Sequence, residues 1–245
     1  MLFRSLCCVV PNRQRIRQFS TDTGRRPAGV LCVWNCPTRQ EVALSPSQPT
    51  DHFIVVYQGA LVPSRLPLTV LQALATLPDT ARLQLVGYET VGHPGYRQRF
   101  LAEATRLGIA HRIDSLGVIS TREALCESCR RGHVGLALMP THPTDLNEQC
   151  MVGASNKPFE YLAAGQPVLV TNLPDWCETY VAPGYGLACN PDDPADIAQA
   201  FRWLFEHPEE RHAMGERGRQ QILQEWHYER QFQPVLELLT RNHDS

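Results

Sequence analysis

Short apolar runs alternate with helix-period segments along most of this chain. HFIVVY at His52–Tyr57 leads to Gly59, and RLQLV at Arg82–Val86 leads to Gly87. Ile113–Leu116, His133–Met139 and Pro167–Thr171 read as further strands. Between them lie helical patterns at Pro67–Leu77 and at Tyr96–Leu107, the latter closed by Gly108. A third helix is expected to start at a Ser120 N-cap, with Glu123 as its capping-box partner, and to reach about Arg131. A fourth covers Pro158–Ala164 and stops at Gly165. Each helix returns the chain to the same end of the sheet, so the strands run parallel. The expected fold class is α/β: a doubly wound parallel sheet whose ligands bind beyond the carboxyl ends of its strands. Gly59 and Gly87 are expected just past two such ends, where a missing Cβ lets the backbone approach a ligand.

After Asn190 the pattern turns helical, at Asp193–His207, Glu209–Trp226 and His227–Arg241. Asp192, Asp193 and Asp196 suit a helix N-terminus. Residues 37–51 are rich in Pro, Ser and Thr and read as a linker. The expected organisation is an incomplete N-terminal segment at 1–36, the linker at 37–51, the main domain at 52–226, and a closing helix and tail at 227–245. The first segment has only two short apolar runs, Leu6–Val10 and Val30–Trp34, too little for a core of its own.

Composition removes several function classes. With 43% hydrophobic and 20% charged residues among 245, the chain can bury a core. A formal net charge of −2 supplies no basic field for nucleic acid. The apolar runs are too short to span a bilayer. Leu6–Val10 is short for a signal peptide and has no small-residue cleavage site, and the Arg-rich stretch behind it resembles a transit peptide only faintly. Nine scattered cysteines suit reduced thiols and a cytoplasmic location. Cys126 and Cys129 form a CxxC with no second ligand pair at zinc spacing, and the histidines show no metal pattern either. No metal site is expected. Trp176, Trp203 and Trp226 read as packing residues. Cys177 and Glu178 stand at an expected helix start, where a diphosphate could also lie.

The stretch SNKPFEYLAAGQPVLVTNLPD, Ser155–Asp175, holds Lys157, the single lysine of a chain with 23 basic residues. Ser155 or Asn156 can cap the helix that begins there, and Pro158 fits its first turn. Free N–H groups at such an end, with Lys157 as a point charge, suit a phosphate. Glu160 lies three residues on and shares roughly the same helix face. Its carboxylate needs hydrogen-bond donors beside an anion, and the vicinal hydroxyls of a ribose would supply them. Arg65, in GALVPSR, can reach a phosphate bound across the strand ends. Together these residues describe a nucleoside diphosphate site.

NKPFEYLAAGQPVLVTNLP resembles the donor segment of GT-B-fold glycosyltransferases, in particular the retaining family 4 (group 1) enzymes. The resemblance covers about residues 52–241. VVYQGALVPSR is similar to the family's opening strand and phosphate loop, and LQLVGYE to its second strand. LGIAHRIDSLGVISTREALCESCRRGHVGLALMP is similar to the stretch that grips the nucleobase. EWHYERQF is similar to the terminal helix that crosses back to the other domain. The resemblance implies a Rossmann-like GT-B C-terminal domain with C-terminal helices that binds a nucleotide sugar. It implies that Lys157 and Arg65 hold the donor pyrophosphate and that Glu160 holds the ribose hydroxyls. The backbones of Gly59, Ala60, Ser155 and Asn156 would approach the phosphates. It implies transfer of a hexosyl unit to an acceptor hydroxyl with retention, with no cofactor and, since no DxD motif occurs, no metal.

Two departures stand out. The family's Glu-x7-Glu pair is broken, because Val152 occupies the first position; Glu148 or Asn147 stands nearby. CCVVPNRQRIRQF and VLCVWNCP resemble the end of an N-terminal acceptor domain whose remainder is missing from this sequence. That predicts a chain with donor binding but doubtful activity alone. The alternatives are half of a split enzyme, or a non-catalytic module that binds nucleotide or a partner chain.

Overall fold

The computed structural model describes residues 7–24, 30–42 and 50–241. Parts of the expected N-terminal segment, linker and tail lie outside the described residues. The N-terminal part forms β1 (Cys8–Val10), α1 (Arg13–Thr23) and β2 (Val30–Cys32), with β1 and β2 paired in parallel. Asn12 caps α1 by accepting from Gln14 N at 2.7 Å, and it donates to the Val152 carbonyl at 2.7 Å. Arg15 Nε donates to the Cys150 carbonyl at 3.0 Å, and Asn35 N to the Gly153 carbonyl at 2.8 Å. Trp34 packs against Phe159 and Trp226 with ring centroids 5.7 and 5.6 Å apart. This small unit therefore completes its burial on the main domain.

The main domain runs β3 (Phe53–Leu61), α2 (Thr69–Ala75), β4 (Ala81–Glu89), α3 (Tyr96–Arg106), β5 (Ile113–Gly117), α4 (Arg122–Arg130) and β6 (Val134–Ala137). It continues through α5 (Leu146–Gln149), α6 (Lys157–Ala163), β7 (Val168–Thr171), α7 (Pro174–Trp176) and β8 (Gly186–Cys189). Three helices follow: α8 (Pro194–Glu206), α9 (Pro208–Gln224) and α10 (Tyr228–Arg241). The six strands of the main sheet pair in parallel in the order β5-β4-β3-β6-β7-β8. The fold class is the expected doubly wound α/β sheet.

Side-chain alternation divides the core in two. Val55, Tyr57, Leu83 and Leu85 face α2, α3 and α8. Val56, Ala137, Val168 and Val170 face α6 and Ile222 of α9. Covered on both faces, the strands are apolar runs rather than alternating ones, which is why they stood out in the sequence. The chain winds outward through β4 and β5, then returns to place β6 on the other side of β3. That reversal opens a crevice between the carboxyl ends of β3 and β6.

Several expectations need correction. Gly59 and Gly87 are not past their strands; β3 and β4 run through them, and the two glycines are register partners. A Cβ on Gly87 would overlap the Gly59 carbonyl oxygen, so close backbone approach is the reason for glycine there. The cap of α4 is Thr121 rather than Ser120, with Thr121 Oγ1 accepting from Ala124 N at 3.3 Å. β8 is not legible as a strand in the sequence, because Gly186–Cys189 has no β-branched residue. Arg112 is 1% exposed and donates to the carbonyls of Leu74, Leu77 and Ala81, tying the α2–β4 connection to β5. Trp176 is buried, and Trp226 belongs to an aromatic cluster with Phe159, Tyr180 and Tyr185.

Candidate donor site

A cavity of about 340 Å³ opens at the crevice between β3 and α6. Gly59, Ala60, Arg65, Asn156, Lys157 and Glu160 all line it. Six of the seven expected site residues are thus brought together. Ser155 is the exception: it is buried beneath, and its N–H is spent on the Met151 carbonyl at 2.8 Å. Its backbone does not reach the cavity. Cys177 and Glu178 form part of a π-helical turn and do not line the cavity either.

The helix start also differs from expectation. Neither Ser155 nor Asn156 caps α6; Asn156 has helical backbone angles and its side chain makes no cap bond. Instead its Nδ2 donates to Glu160 Oε1 at 2.9 Å. α6 is seven residues long, so its dipole is weak. The positive character of the cavity comes mainly from side chains.

Lys157 is 8% exposed, and its Nζ lies 5.0 Å from the centroid of the Tyr57 ring. Burial, and after it the nearby Arg65, push its pKa down to about 8 against the opposing pull of Glu160. An ammonium held this way is poorly exposed to solvent, and the Tyr57 ring compensates only in part. A diphosphate entering the cavity would supply both charge and acceptors.

Glu160 is also 8% exposed and is held by three donors: Arg122 Nη1, Gln58 Nε2 and Asn156 Nδ2. From the sequence, only ribose hydroxyls are expected as donors to this carboxylate. Gln58 carried a signal, a lone amide inside the run HFIVVYQGAL. Arg122 carried none, since it sits 38 residues from Glu160 on another helix. The broken Glu-x7-Glu pair stays broken. Val152 is buried, and Glu148 turns back to accept from Thr144 N at 2.9 Å. Neither Glu148 nor Asn147 lines the cavity.

On the other side of Glu160 lies a wider cleft of about 810 Å³. It shares Asn156 and Glu160 with the cavity and is walled by Trp34, Arg122, Tyr228 and Phe232. Among the described residues no cluster of three His, Cys, Asp or Glu could hold a metal ion, and no helix is long and apolar enough to cross a membrane.

A parallel sheet with two cations and a carboxylate gathered at its switch point defines the class: a doubly wound α/β domain. The family is also defined. The model for glycosyl transferases group 1 matches residues 39–221, and the chain belongs to that family. No curated protein matches the sequence. Among solved structures, HepE from Anabaena in complex with UDP superposes with a TM-score of 0.75 at 16% identity, over 97% of this chain and 64% of that one. Sucrose-phosphate synthase from Thermosynechococcus elongatus gives a TM-score of 0.72 at 18% identity, over 98% of this chain and 59% of that one. The C-terminal domain of the group 1 glycosyl transferase LpcC from Francisella tularensis gives 0.58 at 13% identity, over 91% of this chain and 96% of that one. At these identities the likeness establishes the GT-B-type fold. This chain spans less than two thirds of the HepE and synthase chains.

Proposed function

We propose that this chain is the donor-binding part of a glycosyltransferase that takes a nucleoside diphosphate sugar. The observation that carries the reading is the convergence of Lys157, Arg65 and Glu160 on one cavity at the β3–β6 switch point. Lys157 and Arg65 bind the pyrophosphate, with the Gly59–Ala60 backbone alongside. Glu160 binds the ribose. The transferred unit is a hexosyl group, the acceptor is a hydroxyl, and the anomeric configuration is retained. When the glycosidic C–O bond breaks, negative charge gathers on the departing diphosphate oxygen. Lys157 and Arg65 stabilise that charge, so the reading requires no metal and no organic cofactor. The acceptor approaches from the wide cleft beside Trp34, Tyr228 and Phe232. Acceptor positioning supplies much of such a rate, and it needs surface beyond this chain, either a further domain or a partner. The nine scattered cysteines suit a cytoplasmic location.

HepE has been solved with UDP-glucose, which makes UDP the first nucleotide to try. Calorimetric titration with UDP, GDP and ADP tests the reading. One nucleotide should bind, and Lys157→Ala and Glu160→Ala should each weaken it tenfold or more, on the order of 1.5–3 kcal/mol for a lost charge-assisted hydrogen bond. A folded chain that binds none of the three refutes the donor site.

A further inference from the structure

A carboxylate can accept about four hydrogen bonds, two at each oxygen. The fold already fills three on Glu160. Oε1 accepts from Arg122 Nη1 and from Asn156 Nδ2, the latter at 2.9 Å, and Oε2 accepts from Gln58 Nε2. A single acceptor position remains, on Oε2.

Arg122 is itself held. Its Nε donates to Glu41 Oε1 at 2.5 Å. The other oxygen of Glu41 accepts from Thr38 N at 2.7 Å and Thr38 Oγ1 at 3.1 Å, which locks the turn Arg39–Glu41. That turn is anchored to the start of α10: Tyr228 N donates to the Pro37 carbonyl at 2.8 Å, and Arg39 N donates to Glu229 Oε2 at 3.2 Å. Burial works against the Arg122 charge, but the hydrogen bonds and charges of Glu41 and Glu160 outweigh it and raise its pKa. A brace therefore runs from α10 through the turn at Thr38–Glu41 to Arg122, and on to Glu160.

We infer that Arg122, braced by Glu41, is a positioning residue that aims the one open acceptor of Glu160 at a single ribose hydroxyl, so that the site reads one hydroxyl of the donor and not the diol. The inference rests on the donor-site reading above. A guanidinium does this because its planar fork presents two fixed edges, one to each carboxylate. Lysine has the charge without the fork. When the brace is removed, Glu160 turns, a second acceptor opens, and either hydroxyl can serve.

The test uses the full chain and calorimetry. The tightest of UDP, GDP and ADP is compared with its 2′-deoxy and 3′-deoxy forms, and with inorganic pyrophosphate. In the wild type, one deoxy form should bind about tenfold or more weakly and the other within about threefold of the parent. Glu41→Gln and Arg122→Lys should each bring that discrimination down to about threefold, while pyrophosphate affinity moves by less than about threefold. A brace that only held the fold together would weaken nucleotide and pyrophosphate alike and leave the discrimination intact. Equal penalties for both deoxy forms in the wild type overturn the inference without any variant. So does full discrimination in both variants. A wild type that binds none of the three nucleotides overturns the donor site first, and the inference with it.

Discussion

Lys157 stands over Tyr57, its Nζ 5.0 Å from the ring centroid, and a Cβ on Gly59 would come within 2.8 Å of its Cε. The lysine thus fills space that glycine leaves at the end of β3. An aromatic face gives the ammonium partial compensation for lost water. The rest is left for a ligand.

That arrangement has a pH signature. Lys157 titrates near 8 when folded, against an ordinary 10.5, because burial and then Arg65 disfavour its charge. The unfolded chain holds the proton more tightly, so the cost to the fold is complete below pH 8 and fades as pH rises toward 10.5. The full cost is about 3 kcal/mol. Lys157→Met should therefore raise the melting temperature at pH 7 while nucleotide binding is lost. The gain over wild type should shrink between pH 8 and 10.5. Scanning calorimetry across that range checks both. A variant less stable than wild type at pH 7 contradicts the shift.

Nucleotide binding should follow the same group with the opposite sense. A bound diphosphate favours the ammonium, so affinity falls once the pH passes 8. Near pH 8.5 binding should draw a proton from the buffer. Calorimetry in two buffers of different ionisation enthalpy measures the uptake, and identical enthalpies in both would rule it out.

His133 predicts acid sensitivity. Its Nδ1 accepts from Ile54 N at 3.1 Å, and burial, helped by Arg211, drops its pKa to about 4. The unfolded histidine protonates near 6.5, so stability is intact above that and drains away as pH falls toward 4. The loss approaches about 3 kcal/mol. His133→Asn keeps an acceptor without the titration, and its urea midpoint should vary less over pH 4–6.5 than that of the wild type.

Gly87 predicts a steric penalty. Gly87→Ala places a methyl against the Gly59 carbonyl, which must shift with the β3 backbone. The cost should be about 2–3 kcal/mol, as for overpacking elsewhere. Gly92→Ala, where nothing lies within 4 Å, is the control and should stay within about 0.5 kcal/mol. Equal midpoints for the two variants in urea would contradict the close approach.

Arg112→Leu should cost about 3 kcal/mol or more, because it removes a buried donor from the carbonyls of Leu77 and Ala81 and leaves that of Leu74 only its bond from Leu77 N. Arg112→Lys should recover only part of that, since one ammonium cannot match the three directions. Full recovery by lysine in a urea titration would contradict this account.

What the sequence determined by itself is local and periodic. Apolar runs of strand length between helical patterns require a parallel sheet. The three-residue spacing of Lys157 and Glu160 puts both on one turn of α6, whatever surrounds it. That segment, together with VVYQGALVPSR, LQLVGYE and EWHYERQF in their order along the chain, was also enough to recognise the family.

What the tertiary structure decided is everything that depends on strand order. Insertion of β6 beside β3 brings α6 against Gly59 and buries Lys157, so its lowered pKa has no local cause in the sequence. The pairing of β3 with β4 carries both strands through their glycines, beyond the strand ends that spacing predicts. The partners of Glu160 come from β3, α4 and the residue before α6, and the support of Arg122 comes from a turn near the N-terminus. A buried charge takes whatever donors the packing places within reach, and that reach is set in space rather than along the chain.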